Sequence, residues 1–379
     1  WQILSRSNFK LSYRRNHRRI IQMNIKFQRA VDRYAGVPIC ALLSLLDLFR
    51  RKATIAAPPR RILVILLSEM GSLVLAHPMF ARLKQRYPGA NIHVLQFAKN
   101  REVLDLLGVI PAENVLTLDD GSLGGLVKDS IRAIRTLRAL GIDAVIDCEL
   151  FARISSIFSF LSGAPLRVGF HRHTQEGLYR GSFINRPVLY NPYRHLSHQF
   201  LTMVAALEST TVPVAKQQPS PDPCIPPLLG FVEQELELVA ARLHDDFPAI
   251  RDKPLVLVYP GGGILPIRAW PIENYSLLCK RLLDEGYAIG VIGMKADQPV
   301  AQVIADHCRS PHCVNLAGYT GSVRQLLALF HRASLLVTND GELVQYGGNY
   351  DFYNHKHSQR AAQQAAAYTR QQAMLRKEE

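Results

Sequence analysis

From Arg61 onward, short apolar runs alternate with longer stretches whose apolar residues recur every three or four positions. ILVILL (62–67) is the first run, followed by a Gly-Ser break and a helical stretch over 73–86. NIHVLQF (91–97) and NVLTLD (114–119) read as strands, GLVKDSIRAIRTLRAL (125–140) as a helix ended by Gly141, and AVIDCE (144–149) as another strand. After an interruption the series resumes with PLVLVYPGGG (254–263), a helix over 272–285 ended by Gly286, and the strand AIGVIGM (288–294). A helix at 297–307, the strand CVNLAG (313–318), a helix at 321–332 and the strand LLVTN (335–339) follow. Strands alternating with helices predict parallel sheets with right-handed crossovers. The fold class is α/β: two Rossmann-like domains facing a cleft, with ligands at the carboxyl ends of the strands.

The interruption contains VPVAKQQPSPDPCIPP (212–227), whose prolines fit neither a helix interior nor a central strand. Residues 205–253 therefore read as an interdomain linker that includes a helix at about 229–244. The expected organisation is a leader over 1–60, a first domain over 61–204, this linker, a second domain over 254–340 and a helical tail over 341–379.

Charge alters the picture of the leader alone. The chain of 379 residues carries +14, and residues 1–61 hold 14 Lys/Arg against Asp32 and Asp47, a net of +12. The body is thus nearly neutral, which excludes a nucleic-acid-binding surface spread over it and leaves a basic arm or membrane-surface segment. Within the leader, AGVPICALLSLLDLF (35–49) is apolar and flanked by Arg29, Arg33, Arg50, Arg51 and Lys52. A spanning helix needs ~20 apolar residues, and this run is shorter and contains Asp47. Basic residues directly after it are the wrong flank for signal-peptide cleavage. Two readings stay open: an amphipathic helix at an anionic leaflet, or a helix packed on the first domain with solvated arginines. The chain begins at Trp1 and its first methionine is Met23, so it is read as a fragment or as starting upstream of the native start. Six cysteines over this length do not form a disulfide framework, and a reducing cytoplasm is expected.

Candidate chemistry lies at two strand-to-helix turns. In LSEMGSLVLAHP (67–78), Gly71 would permit a tight turn before a helix whose free N–H groups favour anions. Ser72 reads as an N-cap, and Glu69 as a general base or a surface carboxylate. In YPGGGILPIRAWP (259–271), Gly261, Gly262 and Gly263 would let the backbone approach a phosphate and Arg268 would fork onto it. Trp270 and Pro271 then open a helix, with Pro271 near the first helical position. Neither turn carries the dinucleotide fingerprint, which disfavours an NAD enzyme. HCRSPHC (307–313) invites a zinc reading, but structural zinc ligands come as two separated pairs, so no metal is expected. His171-Arg172-His173 and Arg194-His195…His198 read as exposed basic clusters.

ILVILLSEMGSLVLAHPMFARLKQRYPGANIHVLQF (62–97) resembles the amino-terminal half of glycosyltransferase family 9, the ADP-heptose–lipopolysaccharide heptosyltransferases. LSGAPLRVGF (161–170) is similar to that family's mid-domain segment, and residues 255–298 and 314–340 to its donor half. The resemblance covers about residues 60–340. It implies a GT-B fold and cofactor-free, metal-independent, inverting transfer of a heptose or related sugar. The donor would be an ADP-heptose-like nucleotide sugar and the acceptor a lipid-anchored saccharide, at the cytoplasmic face of the inner membrane. It also implies donor contacts from Trp270, Asn339 and Asp340.

The chain departs from the family pattern at three points. Ser72 stands where the family has an Asp as base, which makes Glu69 the substitute. Arg268 replaces a Lys. After Asp340 the family's Ser/Thr-Gly-Pro-x-His segment is absent, and the tail instead resembles the linker of F-subfamily ABC ATPases, without a Walker motif. The second domain is therefore expected to be truncated, as in a chimeric gene, and transferase activity to be weak. Alternative readings are a non-catalytic, membrane-associated nucleotide-sugar-binding remnant or a GT-B-like sugar epimerase.

Overall fold

Parallel strands covered on both faces are built from uninterrupted apolar runs, and the runs from Arg61 onward form two such sheets. The computed structural model describes residues 30–49, 58–67, 70–170, 179–191, 194–209, 227, 229–261 and 269–338. The chain divides into two compact units, Trp1–Leu229 and Gly230–Glu379.

The first unit holds a six-stranded sheet. Its strands are β1 (Arg61–Ile65), β2 (Asn91–Phe97), β3 (Val115–Leu118), β4 (Ala144–Asp147), β5 (Leu166–Phe170) and β6 (Arg186–Val188), in the order β3-β2-β1-β4-β5-β6. Every pairing is parallel. Around the sheet run α1 (Val37–Leu48), α2 (Met70–Leu75), α3 (His77–Arg86), α4 (Arg101–Leu107), α5 (Leu123–Leu140), α6 (Arg153–Leu161) and α7 (Leu196–Ala206). The order reverses between β1 and β4, and the carboxyl ends of those two strands are where such sheets bind ligands.

Three points differ from the sequence reading. The continuous helix expected over 73–86 is two helices, α2 and α3, that meet at Ala76. Pro78 lies in the first turn of α3 and has no N–H to give to the preceding turn, so the ladder breaks there. Ser72 is not an N-cap: it is the third residue of α2, and its carbonyl accepts from Ala76 N at 2.9 Å. Gly71 is likewise helical, with open space where a Cβ would stand, so the tight turn expected of it is absent. Strands β5 and β6 and helices α4, α6 and α7 complete the unit beyond the elements read individually from sequence.

The second unit repeats the winding on a smaller scale. Strands β7 (Leu255–Val258), β8 (Ala288–Gly293), β9 (Cys313–Ala317) and β10 (Ala333–Val337) form a parallel sheet in the order β10-β7-β8-β9. Helices α8 (Glu233–Asp246), α9 (Ile272–Asp284), α10 (Gln298–Cys308) and α11 (Val323–Arg332) cover it. Leu243 of α8 is buried with Leu255, Leu257, Ile292 and Leu329, so α8 packs as part of this unit. On the opposite face Val256, Val258, Tyr275, Ile289, Ala301 and Ile304 form a second core layer. Gly290 sits between layers: an added Cβ would meet Leu316 Cδ1 at 2.6 Å and Leu257 Cδ2 at 3.0 Å.

The tail 341–379 and its likeness to an ABC-ATPase linker lie outside the described residues.

Candidate functional site

At the reversal point of the first unit, Leu67 leaves β1 toward α2. Both of its backbone polar atoms are held by buried side chains. Leu67 N donates to Glu149 Oε1 at 2.6 Å, and Asn100 Nδ2 donates to Leu67 O at 2.8 Å. Glu149 lies just beyond β4, and its own N–H donates to Asp147 Oδ1 at 3.1 Å.

Asp147, the last residue of β4, is completely buried beside Arg180, whose Nη2 is 2.5 Å from Asp147 Oδ2. Ser155 Oγ and Ser156 Oγ of α6 donate to the same oxygen at 3.1 and 3.2 Å. Burial pushes the Asp147 carboxyl above its ordinary value, against the pull of the Arg180 guanidinium, while Glu149 adds to the rise. Arg180 also donates to Ser155 Oγ at 2.8 Å and to the Glu149 carbonyl. A buried charge pair of this kind needs further hydrogen bonds to offset its desolvation. Asp147 and the Arg180 Nη atoms have them, while Arg180 Nε is buried without a partner among the described residues. The result is a polar floor under the carboxyl ends of β1 and β4, which fixes where the chain enters the β1-to-α2 turn.

This network was not singled out in the sequence, although AVIDCE (144–149) carried a signal. It puts two carboxylates at the carboxyl end of a strand beside the reversal point. Arg180 had no such signal, because its partner lies 33 residues away. Of the residues read at the first turn, Gly71 and half-buried Ser72 lie on α2, which follows Leu67 in the chain, while Glu69 lies outside the described residues.

At the corresponding point of the second unit, β7 ends at Val258, and Tyr259 N extends the pairing by donating to Val337 O of β10 at 2.9 Å. Gly261 follows, and an added Cβ there would meet the Tyr259 ring at 2.7 Å. Trp270 is 52% exposed and meets the buried Tyr275 edge-on, with ring centroids 5.7 Å apart. Pro271 is the N-cap of α9, one position before the place expected of it. Gly262, Gly263, Arg268, Asn339 and Asp340 lie outside the described residues. The structure thus describes Gly261 and Trp270, one on each side of the glycine-rich turn.

Of the HCRSPHC residues, Cys308 and Cys313 stay together, in contact with Cys279, while His312 points elsewhere. Cys313 is buried in the core of the second unit with Cys279, and the His312 ring lies 2.7 Å from Ala249 O. Among the described residues, no group of three His, Cys, Asp or Glu side chains is arranged to hold a metal ion. His198 lies on α7 and burial lowers its pKa, while His171, Arg172 and His173 lie outside the described residues.

Comparison with known proteins places this arrangement. A model of the family described as "Glycosyltransferase family 9 (heptosyltransferase)" matches residues 130–344. The chain is 26% identical over 288 residues to lipooligosaccharide heptosyltransferase 2 of Haemophilus ducreyi, covering 75% of this chain and 78% of that protein. It is 27% identical over 299 residues to lipopolysaccharide heptosyltransferase 2 of Salmonella typhimurium, covering 77% of this chain and 80% of that one. Among solved structures, Escherichia coli ADP-heptose lipopolysaccharide heptosyltransferase II superposes with a TM-score of 0.58 at 23% identity, over 74% of this chain and 79% of that chain. That likeness identifies the architecture as the GT-B type.

Proposed function

Because this chain belongs to glycosyltransferase family 9, we propose that it transfers a heptose from an ADP-heptose-type donor to a lipopolysaccharide-type acceptor with inversion. The observation that carries the reading is the match to heptosyltransferases over three quarters of the chain, on a scaffold whose two units share one winding. In the reaction, a base takes the proton of an acceptor hydroxyl, and that oxygen attacks the anomeric carbon. The carbon–oxygen bond to the nucleoside diphosphate breaks, and the leaving diphosphate carries off the electron pair.

We assign the catalytic positions to Glu69, as the base, and Ser72, with Gly71 on the acceptor side. Gly261, Gly262, Gly263, Arg268, Trp270, Asn339 and Asp340 are assigned to the donor. Backbone N–H groups and a guanidinium fixed before the reaction would stabilise the charge developing on the diphosphate. The acceptor's lipid anchor implies work at the cytoplasmic face of the inner membrane, on an anionic surface. No helix among the described residues is long and apolar enough to cross a membrane.

The test is release of ADP and formation of a heptosylated saccharide by the purified chain. Glu69→Gln is expected to lower turnover by roughly 10²–10⁴-fold, the contribution of a positioned general base. Ser72→Asp, which restores the family's residue, is expected to raise it. If neither change alters turnover, both base assignments are wrong.

A second reading is favoured by Ser72 itself: a serine without a partner is no base, so the chain would bind nucleotide sugar without transferring it. Calorimetry with ADP-heptose, UDP-sugars and ADP separates the two readings, since binding of ADP-heptose without turnover supports the second.

A further inference from the structure

We propose that helix α1 is a membrane-docking element whose outward face enters the headgroup–acyl boundary of an anionic lipid leaflet. The inference deepens the reading above, because it rests on an acceptor held in a membrane and names the surface that meets it.

The inward face of α1 comes first. A π-helical turn, Asp32–Gly36, leads into Val37–Leu48, and the inward positions recur every three or four residues: Asp32, Gly36, Cys40, Leu43 and Asp47. Cys40 and Leu43 pack with Phe160, Phe183 and Ile184. Gly36 is needed at the closest approach, since a Cβ there would stand 3.1 Å from the Arg153 side chain. At one end Arg153 Nη1 is 2.5 Å from Asp32 Oδ2, and at the other Arg167 Nη2 is 2.8 Å from Asp47 Oδ1. Both guanidinium groups are nearly buried, and each also donates to backbone carbonyls: Arg153 to Tyr179 O, Arg167 to Phe183 O and Ala164 O. Between them Ser44 Oγ accepts from Ser182 N at 2.8 Å. A helix anchored by ion pairs at both ends cannot roll about its axis, so the face it turns outward is fixed.

That outward face is apolar. Tyr34, Ile39, Leu42, Leu45, Leu46, Leu48 and Phe49 are all exposed, with Tyr34, Leu48 and Phe49 between 77% and 81%. Scattered exposed apolar residues are ordinary on a soluble surface, but seven large ones within 16 residues form a contiguous patch. A helix that is apolar on both sides needs a second apolar neighbour.

Charge selects the neighbour. The leader's two acids, Asp32 and Asp47, are both turned inward onto Arg153 and Arg167. Among the described residues of the leader, the outward side therefore presents no carboxylate, while Arg33 is exposed before the helix and Arg50, Arg51 and Lys52 follow it in sequence. An apolar strip with an exposed arginine before it and a basic run next in sequence matches an anionic leaflet, where acyl chains meet the strip and phosphates meet the basic groups. A two-fold pairing of this face with a second copy would set basic end against basic end. The helix is also too short to span, so it would lie in the interface plane.

The test is cosedimentation of the full chain with vesicles of phosphatidylethanolamine containing phosphatidylglycerol, against vesicles of phosphatidylcholine alone. Binding to the anionic vesicles is expected, and the double variant Leu45→Glu/Leu48→Glu is expected to weaken it by about tenfold or more. Both positions are exposed, so circular dichroism is expected to match that of the unaltered chain. Leu45→Ser/Leu48→Ser is the second variant, which removes apolar surface without adding charge, and is expected to weaken binding as well. Equal binding by both variants, or no vesicle binding by the unaltered chain, overturns the proposal. So does sedimentation velocity showing a dimer that either variant dissociates, because the face would then belong to a second copy. Heptose transfer to a lipid-free core saccharide is measured in parallel and is expected to be unchanged in the variants. Its absence in the unaltered chain, with vesicle binding as described, fails the transferase reading and leaves the docking surface standing.

Discussion

The two units share a winding order but not an interior. Among the described residues, the buried polar and charged side chains lie almost wholly in the first unit: Asp147, Glu149, Arg153, Arg167, Arg180 and ten others, against Ser276 alone in the second. Both units place apolar strands at the centre of a parallel sheet, so the contrast does not come from the fold class. It comes from what surrounds the sheet. The first unit uses buried ion pairs to fix a strand exit and to hold α1. The second shapes its glycine-rich turn with small residues and aromatic rings, such as Gly261 against Tyr259 and Trp270 against Tyr275. One interior is bound by directional contacts that depend on protonation, the other by packing that does not.

The largest effect expected to sharpen this contrast is at Arg180. Arg180→Met leaves Asp147 buried without its cation, and breaking such a pair costs about 3–5 kcal/mol. Hydrogen exchange resolved by peptide should then show the β1, β4 and α6 amides opening while the β7 and β8 amides keep their protection. Equal loss in both units would show that the two interiors are not independent.

A smaller effect is expected from pH. Burial lowers the pKa of His77, His93 and His198 below the ordinary value of 6.5, and the Nδ1 atoms of His77 and His93 are buried without a hydrogen-bond partner. Below pH 6.5 the unfolded chain takes up protons that the folded first unit refuses. This stability is therefore complete above 6.5 and is lost as pH falls through the folded-state values. Protection of first-unit amides is expected to fall between pH 7 and 5, ahead of those of the second unit. The same decline in both units would remove the contrast.

The smallest effect is a control that should be equal on both sides. Ser122 and Ser322 cap α5 and α11, accepting from Gly125 N at 3.0 Å and Gln325 N at 3.1 Å. Ser→Ala at either cap is expected to cost about 1 kcal/mol by denaturant unfolding. A markedly larger loss at one of them would show that the caps do more than terminate helices.

Much of the fold was legible because strand periodicity and turn residues are local. The strand over 91–97 and the ends of the helices closed by Gly141 and Gly286 needed no knowledge of distant partners, and Gly141 is left-handed, with φ +61°. The break at Ala76 was missed although Pro78 was visible, because a proline in a first helical turn and one that ends a helix look alike in sequence. The candidate site was half legible. Gly261 stands in a visible run of glycines and Trp270 just before Pro271, whereas the floor of Asp147, Glu149, Asn100 and Arg180 is assembled from three separated segments.

Apolar alternation, determined by sequence alone, specifies two parallel α/β units. The resemblance of residues 60–340 specifies a sugar-transferase family, and the uneven charge marks out a cationic leader. Sequence could not say which way that leader faces. Asp32 and Asp47 look like two ordinary acids diluted among arginines until the tertiary structure sets Arg153 and Arg167 beside them, 120 or so residues along the chain. Burial and pairing depend on where distant segments meet. Only the folded chain decided that the leader's negative charge is spent inward and its apolar surface is turned out.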